Sequence, residues 1–249
     1  MIVLKDSSEL VRYNDPNIPL YVQHENLTMF PNKSALVHWH ADVEFLIPLD
    51  GYLTFRVNAK DYIVHTGEAV FANSRQMHFG YSSDGTDCTY ISMVFRTSLL
   101  ASNPQLYRSY IAPVTESDRL ESLLIRPDSP SGARILTALH RVDRLYQGKK
   151  DCYELHAINS LLEMWISLYE LTKTDHSLKA SDSEPPADTM AQKQMVQFIQ
   201  EHFTEKVSLA DIAVSGNTSR TKCFQLFRKY LNQTPNDYLN QYRLEQSMN

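Results

Sequence analysis

Between residue 18 and about residue 96 the chain reads as a series of short strands. Val43, Phe45 and Ile47 alternate with Glu44, Leu46 and Pro48, the two-residue period of a strand whose faces differ. Tyr52 to Val57 and Asp61 to His65 follow, parted by Asn58-Ala59-Lys60 as a hairpin-like turn, and Val70-Phe71-Ala72 and Thr89 to Phe95 add two more. Many short strands at regular spacing predict a sandwich or jelly-roll barrel. From Glu116 the period lengthens to that of a helix. Ser131 to Tyr146 carries Ile135, Leu139, Val142 and Leu145 on one face. Asp151 to Thr172 carries Leu155, Ile158, Leu162, Trp165 and Tyr169 in heptad rhythm, which predicts a homodimer seam. A face packed on the barrel competes with that reading, because the run is short for a coiled coil, and Leu161, Ile166 and Leu168 widen the apolar surface enough for both. Residues 174–189 are polar, contain Pro185-Pro186 and predict a linker.

Beyond the linker the pattern is helical and brief. Ser208 and Asp211 have capping-box spacing, with Leu209, Ile212 and Ala213 on one face after them. Gly216 and Asn217 are expected to break that helix in the left-handed conformation. Ser219 caps a second helix with a stripe of Cys223, Leu226, Phe227, Tyr230 and Leu231, and Thr234, Pro235 and Asp237 start a third. Two such helices about a tight turn predict a helix-turn-helix unit. Thr221 and Gln225 lie opposite the stripe with Arg228 near them, flanked by Arg220, Lys222 and Lys229. Polar side chains amid cations suit a DNA major groove, the cations on phosphates and Thr221 and Gln225 on base edges. Phe224 either covers a thymine methyl or packs inward. The competing reading is a small helical bundle with a solvated basic face.

The run from Ser208 to Ser247, with its F-R-K-x-L, Q-T-P, Y-L and R-L-E blocks in order, resembles the DNA-binding domain of AraC/XylS-type transcription regulators. It departs from that family's pattern at Cys223, Gln225 and Asn232, where leucine, arginine and glycine are usual. Members carry two helix-turn-helix units joined by a long helix. The resemblance therefore implies a chain truncated inside the joining helix, with the second unit missing.

The strand region holds one chemical constellation. His38-Trp39-His40-Ala41-Asp42-Val43-Glu44 is H-x-H-x-x-x-E, with Gly51 after it and Gly67, Asn73 and His78 downstream. These resemble the two cupin motifs, the second degenerate, with Asn73 at its proline and Arg75 at its internal glycine. Three imidazoles and a carboxylate can ligate zinc, nickel, iron or manganese with positions left open. His38, His40, Glu44 and His78 thus admit three readings: a divalent-metal site, a metal-free pocket for a small-molecule effector, or histidines satisfied by their neighbours. Arg56, Tyr52 and Tyr81 are weaker candidates for the pocket lining. Sugars are a common effector class for such regulators, but no residue here selects one.

Composition alters this picture little. The net charge of −5 argues against nucleic acid, yet residues 1–189 hold 17 Lys+Arg against 24 Asp+Glu while residues 190–249 hold 7 against 5. The excess positive charge therefore lies where the DNA-binding reading needs it. Cys88, Cys152 and Cys223 have neither metal nor disulfide spacing, and no apolar run reaches membrane-spanning length, so a cytoplasmic protein without membrane contact is expected. The expected architecture is α+β: a cupin-like β-barrel (jelly roll) over 1–112, a helical dimerisation or packing region over 113–173, a linker over 174–189, and a partial helix-turn-helix domain over 190–249. The expected function is a ligand-responsive, sequence-specific transcription regulator, homodimeric and not an enzyme. The alternatives are a metal-dependent cupin enzyme, such as an isomerase or oxygenase, and a pure interaction module built on the heptad helix.

Overall fold

Two antiparallel sheets face one another in a computed structural model that describes residues 11–101, 103–117, 120–174, 187–231 and 233–248. The strands are β1 (Leu20–Asn26), β2 (Val43–Pro48), β3 (Tyr52–Val57), β4 (Lys60–His65), β5 (Ala69–Ala72), β6 (His78–Tyr81), β7 (Thr89–Phe95) and β8 (Ser122–Ile125). One sheet runs β1-β7-β2-β5-β8 and the other β4-β3-β6. Their interior is a cluster of Leu46, Leu53, Phe55, Val57, Val64, Val70 and Tyr90. The opposite face of the larger sheet presents Val43, Phe45, Ile47, Ile91, Met93 and Phe95 to the helices. Alternation along β2 thus does double duty: even positions fill the barrel and odd positions dock the helical layer.

The barrel expectation holds, with one correction to its extent. β8 pairs with β5 from Ala69↔Ile125 to Ala72↔Ser122, so a strand from the region read as helical closes the edge of the sheet. Four residues with only the last of them buried show too little alternation to be recognised. Asn73 helps fix this return. Its buried side chain donates to Val114 O and Leu120 O, both at 2.7 Å, so the residue at the motif's proline position clamps the segment that leads into β8.

Short helices α1 (Pro104–Leu106) and α2 (Ala112–Thr115) flank a π-helical turn at Tyr107–Ile111. They lead to the antiparallel pair α3 (Pro130–Gly148) and α4 (Tyr153–Thr174). Ala157, Leu161, Met164, Trp165 and Leu168 of α4 are buried in the cluster that α3 shares with the sheet. The linker falls almost wholly on residues 175–186, outside the described ones.

Four helices form the last unit: α5 (Ala187–His202), α6 (Leu209–Ser215), α7 (Arg220–Leu231) and α8 (Pro235–Met248). The capping box at Ser208 and Asp211 is present. Thr234 and Asp237 bond reciprocally at the start of α8, and Ser219 Oγ accepts from Lys222 N at 3.2 Å. Cys223, Leu226, Phe227, Tyr230 and Leu231 form the buried stripe. No helix among the described residues is long and apolar enough to cross a membrane.

Candidate functional site

The four cupin-motif residues converge at one end of the barrel. His38 and His78 exchange backbone hydrogen bonds of 3.1 and 2.9 Å, which zips the segment after Ser34 onto the free edge of β6. Glu44 comes from β2 in the facing sheet. One ligating atom from each of His38, His40, Glu44 and His78 lies within 4.8 Å of the others, and all four side chains are buried.

Backbone carbonyls set the imidazoles' orientation. His38 Nδ1 lies 2.9 Å from Leu36 O, His40 Nδ1 3.0 Å from Asp42 O, and His78 Nδ1 2.8 Å from Gln76 O. A carbonyl only accepts, so each Nδ1 carries a proton and each ring turns its Nε2 to the centre. There the three Nε2 atoms meet Glu44 Oε2 at 4.0, 3.2 and 2.8 Å for His38, His40 and His78. Burial pushes the Glu44 carboxyl up, but His78 and His40 outweigh it and hold the group well below the usual carboxylate range. Burial, with His38 beside it, pushes His78 down to about 4. At neutral pH a carboxylate therefore faces a neutral His78 ring. His78 Nε2, 2.8 Å from Glu44, makes no hydrogen bond of acceptable geometry. Three imidazole nitrogens and a carboxylate that converge on one buried point are an ordinary ligand set for a divalent cation.

Sequence reasoning missed Ser92, whose Oγ donates to Glu44 Oε1 at 3.2 Å and orients the carboxylate. It also missed Asp42, which receives Tyr13 Oη and, at 3.2 Å, Arg96 Nε just beside the site. Only the tertiary fold brings these residues together, and nothing local in the sequence marks it.

Arg56, Tyr52 and Tyr81 do not join the histidines, a correction to the expected pocket lining. Val57 pairs with His78, so Arg56, one residue before it, falls on the other face, where Nε donates to Asp61 Oδ1 at 2.6 Å. Tyr52 lies at the far end of β3 and donates to Asp84. Tyr81 stacks on Phe79 with ring centroids 5.5 Å apart.

On α7, Arg220, Thr221, Gln225, Arg228 and Lys229 are exposed, and so is Phe224, which settles its direction as outward. Lys222 Nζ and Lys229 Nζ reach Asp188 of α5 at 3.0 and 3.4 Å, so these two cations are held on one flank. On α4 the expected seam divides. Leu155, Leu162 and Ile166 are 68%, 37% and 58% exposed. Ile158 is half-buried. Trp165 instead turns inward and donates Nε1–H to Tyr110 O at 3.0 Å, and Tyr169 donates to Ser109 O at 3.3 Å. Three residues of helix turn a side chain by about 300°, which carries Trp165 from the line of Leu162 round to the core.

A cupin-domain family model matches residues 26–94, the span that holds His38, His40, Glu44 and His78. The HTH-type transcriptional regulator YdeC of Bacillus subtilis is 30% identical over 247 residues, covering 99% of this chain and 83% of that protein. A second B. subtilis HTH-type transcriptional regulator, YbfI, is 22% identical over 192 residues, covering 76% of this chain and 63% of that protein. Among solved structures, unsaturated fatty acid-bound ToxT of Vibrio cholerae aligns at a TM-score of 0.46 and 12% identity, covering 96% of this chain and 82% of that one.

Proposed function

Since the chain belongs to the HTH-type transcriptional regulators, with the AraC/XylS-type motif in its last unit, we propose that it is a sequence-specific DNA-binding regulator whose cupin barrel senses a small ligand through a divalent metal. The observation that carries the DNA half is the exposed face of Thr221, Phe224, Gln225 and Arg228 on a helix whose opposite face is core. Gln225 can bond adenine in a bidentate way, Phe224 offers an apolar contact to a thymine methyl, and Arg220 and Arg228 are placed for phosphates. Work on DNA puts the protein in the cytoplasm.

His38, His40, Glu44 and His78 would hold the metal, which when bound supplies open positions for an oxygen- or nitrogen-bearing effector. Four metal-ligand side chains gathered on one point support this reading over direct capture of a sugar. The same ligand set would serve a metal-dependent isomerase or oxygenase, but such an enzyme has no use for the helix-turn-helix unit.

Fluorescence anisotropy on the operator selected by this protein tests the reading. Gln225→Ala should relax sequence choice at one base pair, at a cost of about 1–3 kcal/mol on the preferred site. Arg228→Ala should weaken all sequences alike and lower the salt slope by about 1. Binding that is indifferent to both changes would mean that α7 does not read DNA.

A further inference from the structure

An open groove of about 380 Å3 lies between α3 and the turn that joins β4 to β5. Its α3 bank is one stripe of Ala133, Leu136, Thr137, His140 and Arg144, whose spacings of three and four residues put them on the same helical face. Gly67 of the turn and Pro127, between β8 and α3, complete it. The lining is split by chemistry. Leu136 is buried and Ala133 half-buried, and with Pro127 they make an apolar floor. Arg144 is exposed and His140 half-buried, so two basic side chains stand beside that floor. Thr137 spends its hydroxyl hydrogen on Ala133 O at 2.8 Å.

Arg144 differs from the arginines around it. Arg134 and Arg141, on the same helix, reach Glu170 and Glu163 of α4 at 3.1 and 3.8 Å. Arg126, next to Pro127, holds Glu68, next to Gly67, at 2.9 Å. This last pair ties the turn to the segment before α3 and neutralises the acid nearest to Gly67 in sequence. Among the described residues, Arg144 and His140 have no hydrogen bond or ion pair, and no carboxylate lines the groove. Two unanswered basic groups beside an apolar floor are complementary to an anion that carries an apolar body.

We propose that this groove is a second small-molecule site, which takes an organic carboxylate with a short aliphatic or aromatic body. The Arg144 guanidinium is a planar fork of N–H donors that matches a carboxylate in bidentate fashion. His140, one helical turn away, donates a further N–H in either protonation state. Leu136, Ala133 and Pro127 receive the body. A compact inorganic anion would leave that floor uncovered, which is why the site favours a carboxylate with a body over sulfate. No residue of the groove belongs to the His38–His40–Glu44–His78 set, so the proposal stands apart from the metal reading of the barrel.

The test titrates the full chain with benzoate and 3-methylbutanoate and follows two-dimensional NMR spectra. The protein is first stripped with a chelator and dialysed, so that no barrel-bound ion can capture a probe. Both probes should give saturable shifts at the amides of Gly67, Ala133 and Thr137 and at the His140 ring. Acetate and sulfate, which lack the body, should bind at least about 10-fold more weakly. Arg144→Gln, at an exposed position, should keep the fold and weaken both probes by roughly 10–100-fold. Arg144→Lys should recover only part of that loss, because an ammonium has no planar fork. Thr137→Glu, also at an exposed position, sets a carboxylate in the groove and should abolish the shifts. No saturable shift with either probe, shifts centred outside the groove, or wild-type affinity in Arg144→Gln would each overturn the proposal. So would acetate or sulfate binding as tightly as benzoate, since Arg144 and His140 would then be a solvated basic patch.

Discussion

Gly216 illustrates how a residue can be placed correctly and explained wrongly. It ends α6 as expected, but with φ at −89°. Asn217 takes the left-handed turn instead, at φ +48°. Gly216 is required by a neighbour: a Cβ there would lie 2.6 Å from Met195 Cγ and 2.9 Å from Ala191 O of α5. Gly216→Ala should therefore destabilise the helix-turn-helix unit by roughly 1–3 kcal/mol, read as an earlier loss of helical signal in denaturant. An unchanged midpoint would mean that α5 can move aside. At the other site, His78 is held neutral with its pKa lowered to about 4, whereas an unfolded histidine titrates near 6.5. Between those values the unfolded chain takes up a proton that the fold refuses. In chelator-treated protein, stability should thus be complete above about pH 6.5 and decline as pH falls toward 4. Glu44, held low, adds a further loss at more acid pH. Melting temperatures taken between pH 7.5 and 4.5 check this, and His78→Gln should flatten that stretch.

Elements were legible where a single face decides their pattern. β2, β3, β4 and β7 are short runs rich in apolar and β-branched residues, and α7 carries a full stripe, so their types and nearly their limits could be read. The H-x-H-x-x-x-E spacing likewise gave away the candidate site, because three of its four members lie within seven residues. What stayed hidden depends on pairing at a distance: β8 against β5, Ser92 against Glu44, and Arg56 turned away from His78 by one step of register. Asp188 is another such case. It stands in the span read as linker, yet it begins α5 and holds Lys222 and Lys229. The hydrogen bond from Lys222 keeps its carboxyl below the usual range. Because the pair is largely solvated, Asp188→Asn should cost no more than about 1 kcal/mol of stability. Its larger effect should be on DNA. With both lysines released toward phosphates, non-specific binding should tighten at low salt and the salt slope should steepen by about 1–2. An unchanged slope would show that neither lysine reaches the backbone.

The whole molecule carries its excess acid in the barrel and helical layer and its modest excess of base in the last unit, so one copy has little electrostatic pull on DNA. A second copy would double that pull and set two reading helices at a fixed spacing. The surface best suited to bring copies together is the exposed line of Leu155, Leu162 and Ile166 on α4, a helix whose other face is already spent on the core. An antiparallel or parallel pairing of this line would remove three large aliphatic side chains from water, each worth about 1.5–3 kcal/mol when fully buried. Leu162→Glu/Ile166→Glu should therefore leave a folded protein, since both positions face solvent in one chain, and weaken dimerisation by at least about 100-fold. Trp165→Glu makes the contrast. Its ring is buried against Phe95 and its Nε1–H is bonded to Tyr110, so that change should cost several kcal/mol and unfold the helical layer without a soluble monomer stage. Analytical ultracentrifugation distinguishes the outcomes. A wild-type dimer that becomes a folded monomer in the double variant places the seam on this line. A wild-type protein that sediments as a monomer at high concentration removes the dimer, and a double variant that remains dimeric moves the seam elsewhere.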